Sequence, residues 1–177
     1  EGYDEGLLLY LLALGSPTHP LAPESYNAYC ATYQWKEIYG RALLYSGPLF
    51  THQLSHLWVD FRGIRDAFMR EHRSDYFENS RQATFVQQEY AVTNPLGFEG
   101  YGKHCWGFTA SDGPGWVKRT VNGVEREFHG YIARGAPFGP DDGTVAPWVV
   151  VASLPFAPEI VIPTVRQFAR LDLGMTA

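Results

Sequence analysis

The run Leu7 to Leu14, Leu-Leu-Leu-Tyr-Leu-Leu-Ala-Leu, is apolar around nearly its whole circumference. A helix of that kind has no solvent face of its own, so the fold must cover it on several sides. Gly15 supplies a C-terminal cap and Pro17 prevents continuation, which predicts a helix over Tyr3 to Leu14. Asp4 and Glu5 then fall in its first turn, where the positive end of the helix dipole tolerates anions. Capping accounts for Asp4. Glu5 leads straight into the apolar run, which predicts a partly desolvated carboxyl suited to general acid work.

Further helices are predicted over Glu24 to Tyr39, Gln53 to Asp60, Asp75 to Thr93, Gly143 to Ser153 and Pro158 to Leu171. Tyr26, Tyr29, Tyr33 and Ile38 give the first of these a helical apolar pattern ending at Gly40. Asp75 caps the long central helix and Asn94-Pro95 closes it. Pro163 inside the last segment is expected to kink it or delay its start. Between Pro95 and Pro140 glycines, aromatics and short alternating runs replace this pattern. There Asn122-Gly123 predicts a two-residue hairpin turn and a small β-ribbon.

The 177 residues fit one domain, 1–177, and the formal net charge of −5 disfavours polyanionic partners such as nucleic acid. No apolar run approaches the roughly 20 residues that cross a bilayer, so no membrane-spanning segment is expected. Cys30 and Cys105 form no metal-binding or redox spacing. His52 and His56 are four apart, but the intervening Gln53-Leu54-Ser55 lacks the glutamate of a metalloprotease helix and no third ligand follows by spacing. The reading therefore includes no metal and no cofactor. Eleven Tyr, 11 Phe and 5 Trp serve the core first, and sugar faces second.

Tyr3-Asp4-Glu5 running into Leu14-Gly15-Ser16-Pro17-Thr18-His19-Pro20 resembles the glucoamylase-like domain of endo-β-1,2-glucanases and of cyclic β-1,2-glucan synthases. Further blocks occur in the same order: Ser55 to Gly63, Tyr76 to Arg81, Gly100-Tyr101-Gly102, Trp106 to Pro114, Asp141 to Pro147 and Leu154 to Pro158. The resemblance implies an all-α fold, about half of an (α/α)6 toroid of helical hairpins with a small β-hairpin insertion. The blocks match the C-terminal half of that toroid, so the chain is expected to be a fragment. Family members are often exported, which favours the periplasm or the cell exterior.

The resemblance also implies a glycoside hydrolase acting on an oligo- or polysaccharide, with β-1,2-glucan as substrate and Glu5 as the catalytic acid. Tyr3, His56, Trp58, Asp60, Arg62, Trp106, Asp112, Trp116 and Asp142 are the expected substrate-binding residues. Trp106 to Trp116 reads as a sugar-binding loop in which glycines admit the ligand and the two tryptophans stack on it. Trp116 departs from the Tyr of related sequences. The alternative is a tight turn with Trp106 plugging the core. Asp142 either caps the following helix or faces the cleft. Arg62 orients Asp60, or ties two elements together.

Glycoside cleavage needs a second carboxylate, for which Asp60, Asp112, Asp142 or a residue outside the chain are the choices. Two other outcomes share these residues: transglycosylating cyclisation, with a sugar hydroxyl replacing water, and glucan binding without catalysis. No residue selects an α linkage, which ranks starch hydrolysis below them.

Overall fold

A computed structural model describes residues 2–171. In order these form α1 (Leu7–Leu14), α2 (Pro23–Cys30), β1 (Trp35–Ile38), β2 (Arg41–Leu44), two 3-10 turns (Leu49–His52 and Leu54–Leu57), α3 (Ala67–Glu71) and α4 (Tyr76–Thr93). Then come β3 (Ala110–Ser111), β4 (Val117–Val121), β5 (Val124–Phe128), β6 (Ile132–Ala133), α5 (Pro147–Ala152) and α6 (Pro158–Phe168). The described residues are mostly helical, and their strands form three separate antiparallel pairs, β1–β2, β3–β6 and β4–β5.

The central element is α4. Asp75 caps it by accepting from the Glu78 amide at 2.8 Å, and Asn94 ends it in the left-handed conformation at φ 46°. One face of α4 is rich in buried polar side chains, and these pin the β2 strand and two loop segments to the helix. Asn79 accepts from the Leu44 amide at 2.6 Å and donates to the Leu44 carbonyl at 3.2 Å. Gln87 does the same for two segments at once, accepting from Phe108 N at 2.7 Å and donating to Gly47 O at 3.0 Å. Buried backbone groups are thereby satisfied without a continuous sheet. Ala83, Val86, Tyr90 and Ala91 of α4, with Trp106, Phe108, Val149, Val150 and Val161, belong to one core cluster; Tyr3, Leu7, Leu44, Phe61, Met69 and Tyr76 make a second.

Several expectations are corrected. The helix over Glu24 to Tyr39 stops at Cys30, and Trp35 to Leu44 is a hairpin instead. Tyr39 and Gly40, at φ 52° and 69°, form its two-residue turn, a left-handed pair that a helix cannot contain. The segment Gln53 to Asp60 is built of 3-10 turns that begin at Leu49, before the expected start. Helix α1 begins at Leu7 rather than Tyr3, and among the described residues only Leu7 of its eight is buried. Leu9, Leu11 and Leu12 are exposed, so the expected cover on several sides is absent from the described residues. Gly15 ends α1 at φ −82°, without the left-handed conformation of a glycine cap. Pro163 lies inside α6 and does not delay its start. The ribbon at Asn122-Gly123 forms as expected, with both residues at positive φ, 53° and 79°.

Candidate active site

The segment before α1 is held by tyrosines. Tyr29 Oη donates to Asp4 Oδ1 at 2.8 Å, and the same carboxylate oxygen accepts from the Gly6 amide at 2.8 Å. Asp4 therefore caps the turn that leads into the helix, and Tyr29 fixes the cap. Glu5 sits between these anchors, exposed to solvent, with no hydrogen-bond partner among the described residues. The shielding expected from the apolar helix does not reach it, because α1 starts two residues later.

Tyr3 is buried, not presented to a ligand. Its ring stacks on Tyr76 at 5.9 Å, meets Tyr33 edge-on at 5.6 Å and lies 5.3 Å from His52. Below it Tyr76 and Tyr26 both donate to Asp66, whose other oxygen accepts from the Met69 amide at 2.7 Å and caps α3. Burial, with further contributions from neighbouring tyrosines and Asp66, pushes the hydroxyls of Tyr26, Tyr33 and Tyr76 well above the usual phenol range. They are structural donors.

His56, Trp58, Asp60 and Arg62 line one open groove of about 660 Å³ together with Phe77, Trp148 and Phe156. Trp58 is 71% exposed on its rim. Asp60 and Arg62 pair at 2.8 Å, both well exposed, and the guanidinium also lies 4.2 Å above the Phe77 ring. His56 turns inward. Ser80 Oγ is within 2.6 Å of the His52 carbonyl and 2.8 Å of the Tyr76 carbonyl, which take its one proton, so the His56 Nε2 at 3.1 Å is the donor to Ser80. Burial pushes the His56 imidazole down to about 4. Glu5 does not line this groove.

The glycine-rich loop divides differently from expectation. Trp106 is fully buried, and its indole Nε1 donates to Thr164 Oγ1 at 3.0 Å. It plugs the core and offers no stacking platform. Gly107 next to it adopts φ 123° against Val150 and the Ala146 carbonyl, so the glycine here serves close packing of the loop on α5. Asp112 and Trp116 are exposed, Trp116 by 70%, with its ring edge-on to His129 at 5.1 Å.

Asp142 does not face a cleft and does not cap α5. Its carboxylate is buried against Arg134, which donates from Nε to Oδ1 and from Nη2 to Oδ2, each at 2.6 Å. Burial alone would raise its pKa, but the hydrogen bonds led by Arg134 outweigh it and hold the carboxyl well below the usual carboxylate range. Arg134 also donates to the Ser111, His129 and Gly130 carbonyls, tying the glycine loop to the ribbon's exit. Arg134 and Tyr29 carry no motif in the sequence; their roles appear only once their partners are in place. Among the described residues no three His, Cys, Asp or Glu side chains converge as a metal site, and both cysteines are free.

The comparisons with known proteins agree on family. An exo-β-1,2-glucooligosaccharide sophorohydrolase (non-reducing end) of Parabacteroides distasonis is 28% identical over 194 residues, which cover 96% of this chain and 24% of that protein. The solved endo-β-1,2-glucanase of Chitinophaga pinensis, in complex with sophorotriose and glucose, matches with TM-score 0.78 and 29% identity over 97% of this chain and 39% of that one. A β-1,2-glucanase structure from Parabacteroides distasonis matches with TM-score 0.77 and 27% identity over 96% of this chain and 25% of that one. The chain thus spans between about a quarter and two fifths of the length of these relatives. The sequence model of the glycoamylase family, described as "Putative glucoamylase", matches residues 1–176, and the chain belongs to that family.

Proposed function

We propose that this chain is part of a glycoside hydrolase that cleaves β-1,2-linked glucan, with Glu5 as the general acid, in a toroid of helical hairpins. The observation that carries the reading is the mount of Glu5. It is an exposed carboxyl on a turn locked at both sides by Asp4, Tyr29 and the start of α1. An acid that must meet a glycosidic oxygen within hydrogen-bond reach needs such a fixed backbone. The names of the relatives, which act on β-1,2-glucans and their oligosaccharides, supply the substrate class.

In this reading Glu5 protonates the leaving oxygen while a second carboxylate activates water or attacks the anomeric carbon. Asp142 is unsuited to that task, since both its oxygens are bound by Arg134. Asp60 is paired with Arg62, which leaves Asp112 as the exposed candidate within the chain. A carboxyl separation of about 5 Å in the substrate complex corresponds to retention and roughly 6.5–9.5 Å to inversion.

The test is product analysis of the intact gene product and its Glu5→Gln variant on linear β-1,2-glucan, β-1,3-glucan and soluble starch. Linear β-1,2 oligosaccharides from the wild type alone support the proposal. Cyclic products identify transglycosylation, no products from any glucan identify binding without catalysis, and equal activity of the two proteins removes Glu5 from the role.

A further inference from the structure

Lys36, on β1, places its ammonium 4.7 Å above the Tyr45 ring and 4.8 Å above the Phe138 ring, and these two rings meet edge-on at 5.4 Å. Phe138 is nevertheless 65% exposed. Lys36 is half-buried, and among the described residues it has neither an ion-pair partner nor a hydrogen bond. A cation held over two rings gains from the quadrupole of each, but its three N–H donors are still unspent. An aromatic face beside a cluster of free donors complements a pyranose ring, whose C–H face is apolar and whose edge carries hydroxyls.

The platform is rigid. The turn that carries Phe138 closes with Gly135 N donating to Pro140 O at 3.2 Å, and Ala136 N donates to Gly47 O at 3.2 Å. Gly135 and Gly47 pack backbone to backbone, a contact that any side chain on Gly135 would break. On the other side, the Tyr45 amide donates to Gln34 O at 2.9 Å, completing the base of the β1–β2 hairpin.

The platform is also tied to the segment that bears Glu5. The carbonyl of Ser46, next to Tyr45, accepts from His52 Nε2 at 3.2 Å, and the His52 ring lies 5.3 Å from Tyr3. Gly2 N donates to Thr32 Oγ1 at 3.1 Å, just before β1 begins.

We propose that Lys36, Tyr45 and Phe138 form a sugar-binding subsite, in which the Phe138 face turned away from Lys36 stacks on one glucosyl unit of a gluco-oligosaccharide and Lys36 donates to hydroxyls of an adjacent unit. This rests on the glucan reading but not on the identity of the acid, because a subsite mutation changes affinity whichever group cleaves.

The test is calorimetric titration of the intact Glu5→Gln protein, alone and carrying Phe138→Ala, Phe138→Trp or Lys36→Met, with linear β-1,2-gluco-oligosaccharides of three to six units. Phe138→Ala is expected to weaken binding five-fold or more and Lys36→Met about three-fold, while Phe138→Trp binds at least as well as the parent. Phe138 is exposed and Lys36 is unpaired among the described residues, so each variant should fold, which circular dichroism checks. If the parent binds and both Phe138→Ala and Lys36→Met bind equally well, the subsite is overturned and the glucan reading stands. If the parent binds none of these sugars, both fall. If Phe138→Ala alters sedimentation but not affinity, the ring is a protein-docking patch and the subsite is overturned.

Discussion

Arg134 grips Asp142 through two parallel hydrogen bonds of 2.6 Å, with both side chains removed from water. Removing one partner strands the other charge in the interior. Asp142→Asn or Arg134→Met is therefore expected to cost about 3–5 kcal/mol, read as a lowered urea midpoint, and a combined apolar replacement to recover part of it. Because the Asp142 carboxyl is held below its unfolded value, its contribution is complete above about pH 4 and is lost as pH falls further.

His52 gives a pH dependence of the same sign from a different cause. Its Nε2 donates to the Ser46 carbonyl at 3.2 Å, which leaves Nδ1 to accept from Asn79 at 3.3 Å, so the ring is buried in its neutral form. Burial pushes it down to about 4, against an ordinary value near 6.5. Between those values the unfolded chain binds the extra proton. Unfolding free energy should hold steady above about pH 7, fall by on the order of 3 kcal/mol for this residue down to pH 4, and then level off in this contribution. Equilibrium denaturation at a series of pH values checks it, and a His52 ring resonance titrating near 6.5 contradicts it.

Trp106→Ala should act on stability and not on recognition. The fully buried indole fills the main core and satisfies Thr164, so truncation is expected to cost about 3–5 kcal/mol. Sugar affinity of the folded protein stays unchanged. Trp58→Ala, at an exposed rim, should change stability by under about 1 kcal/mol. Paired denaturation and binding curves separate the two.

Tyr29→Phe removes the donor to Asp4 and nothing else in the ring's packing. If Glu5 is the acid, the variant loosens its mount: kcat is expected to fall about ten-fold with KM within two-fold, while stability drops by about 1 kcal/mol. Unchanged kcat at an unchanged pH profile shows that the tyrosine serves folding alone.

The elements read well from sequence wherever local chemistry decides them. Asp75 and Asn94 delimit α4 because cap geometry is set within four residues of chain. Asn122-Gly123 makes its turn because few other dipeptides tolerate two positive φ values in succession. Tyr39-Gly40 makes the same kind of turn, but Tyr26, Tyr29 and Tyr33 fitted a helical stripe and masked it. Their hydroxyls instead go to Asp4, Asp66 and Tyr76, partners up to 50 residues away.

By itself the sequence determined the family, the long central helix and the ribbon turn, since each is written in contiguous residues or collinear motifs. Only the tertiary structure decided which of the singled-out side chains meet solvent. Trp106 and Trp116 share one loop, yet one is core and the other surface. Asp112 and Asp142 are both loop aspartates, yet Asp142 alone is consumed by a buried arginine. Burial and charge pairing depend on what the rest of the chain brings alongside, and no local pattern of residues encodes that.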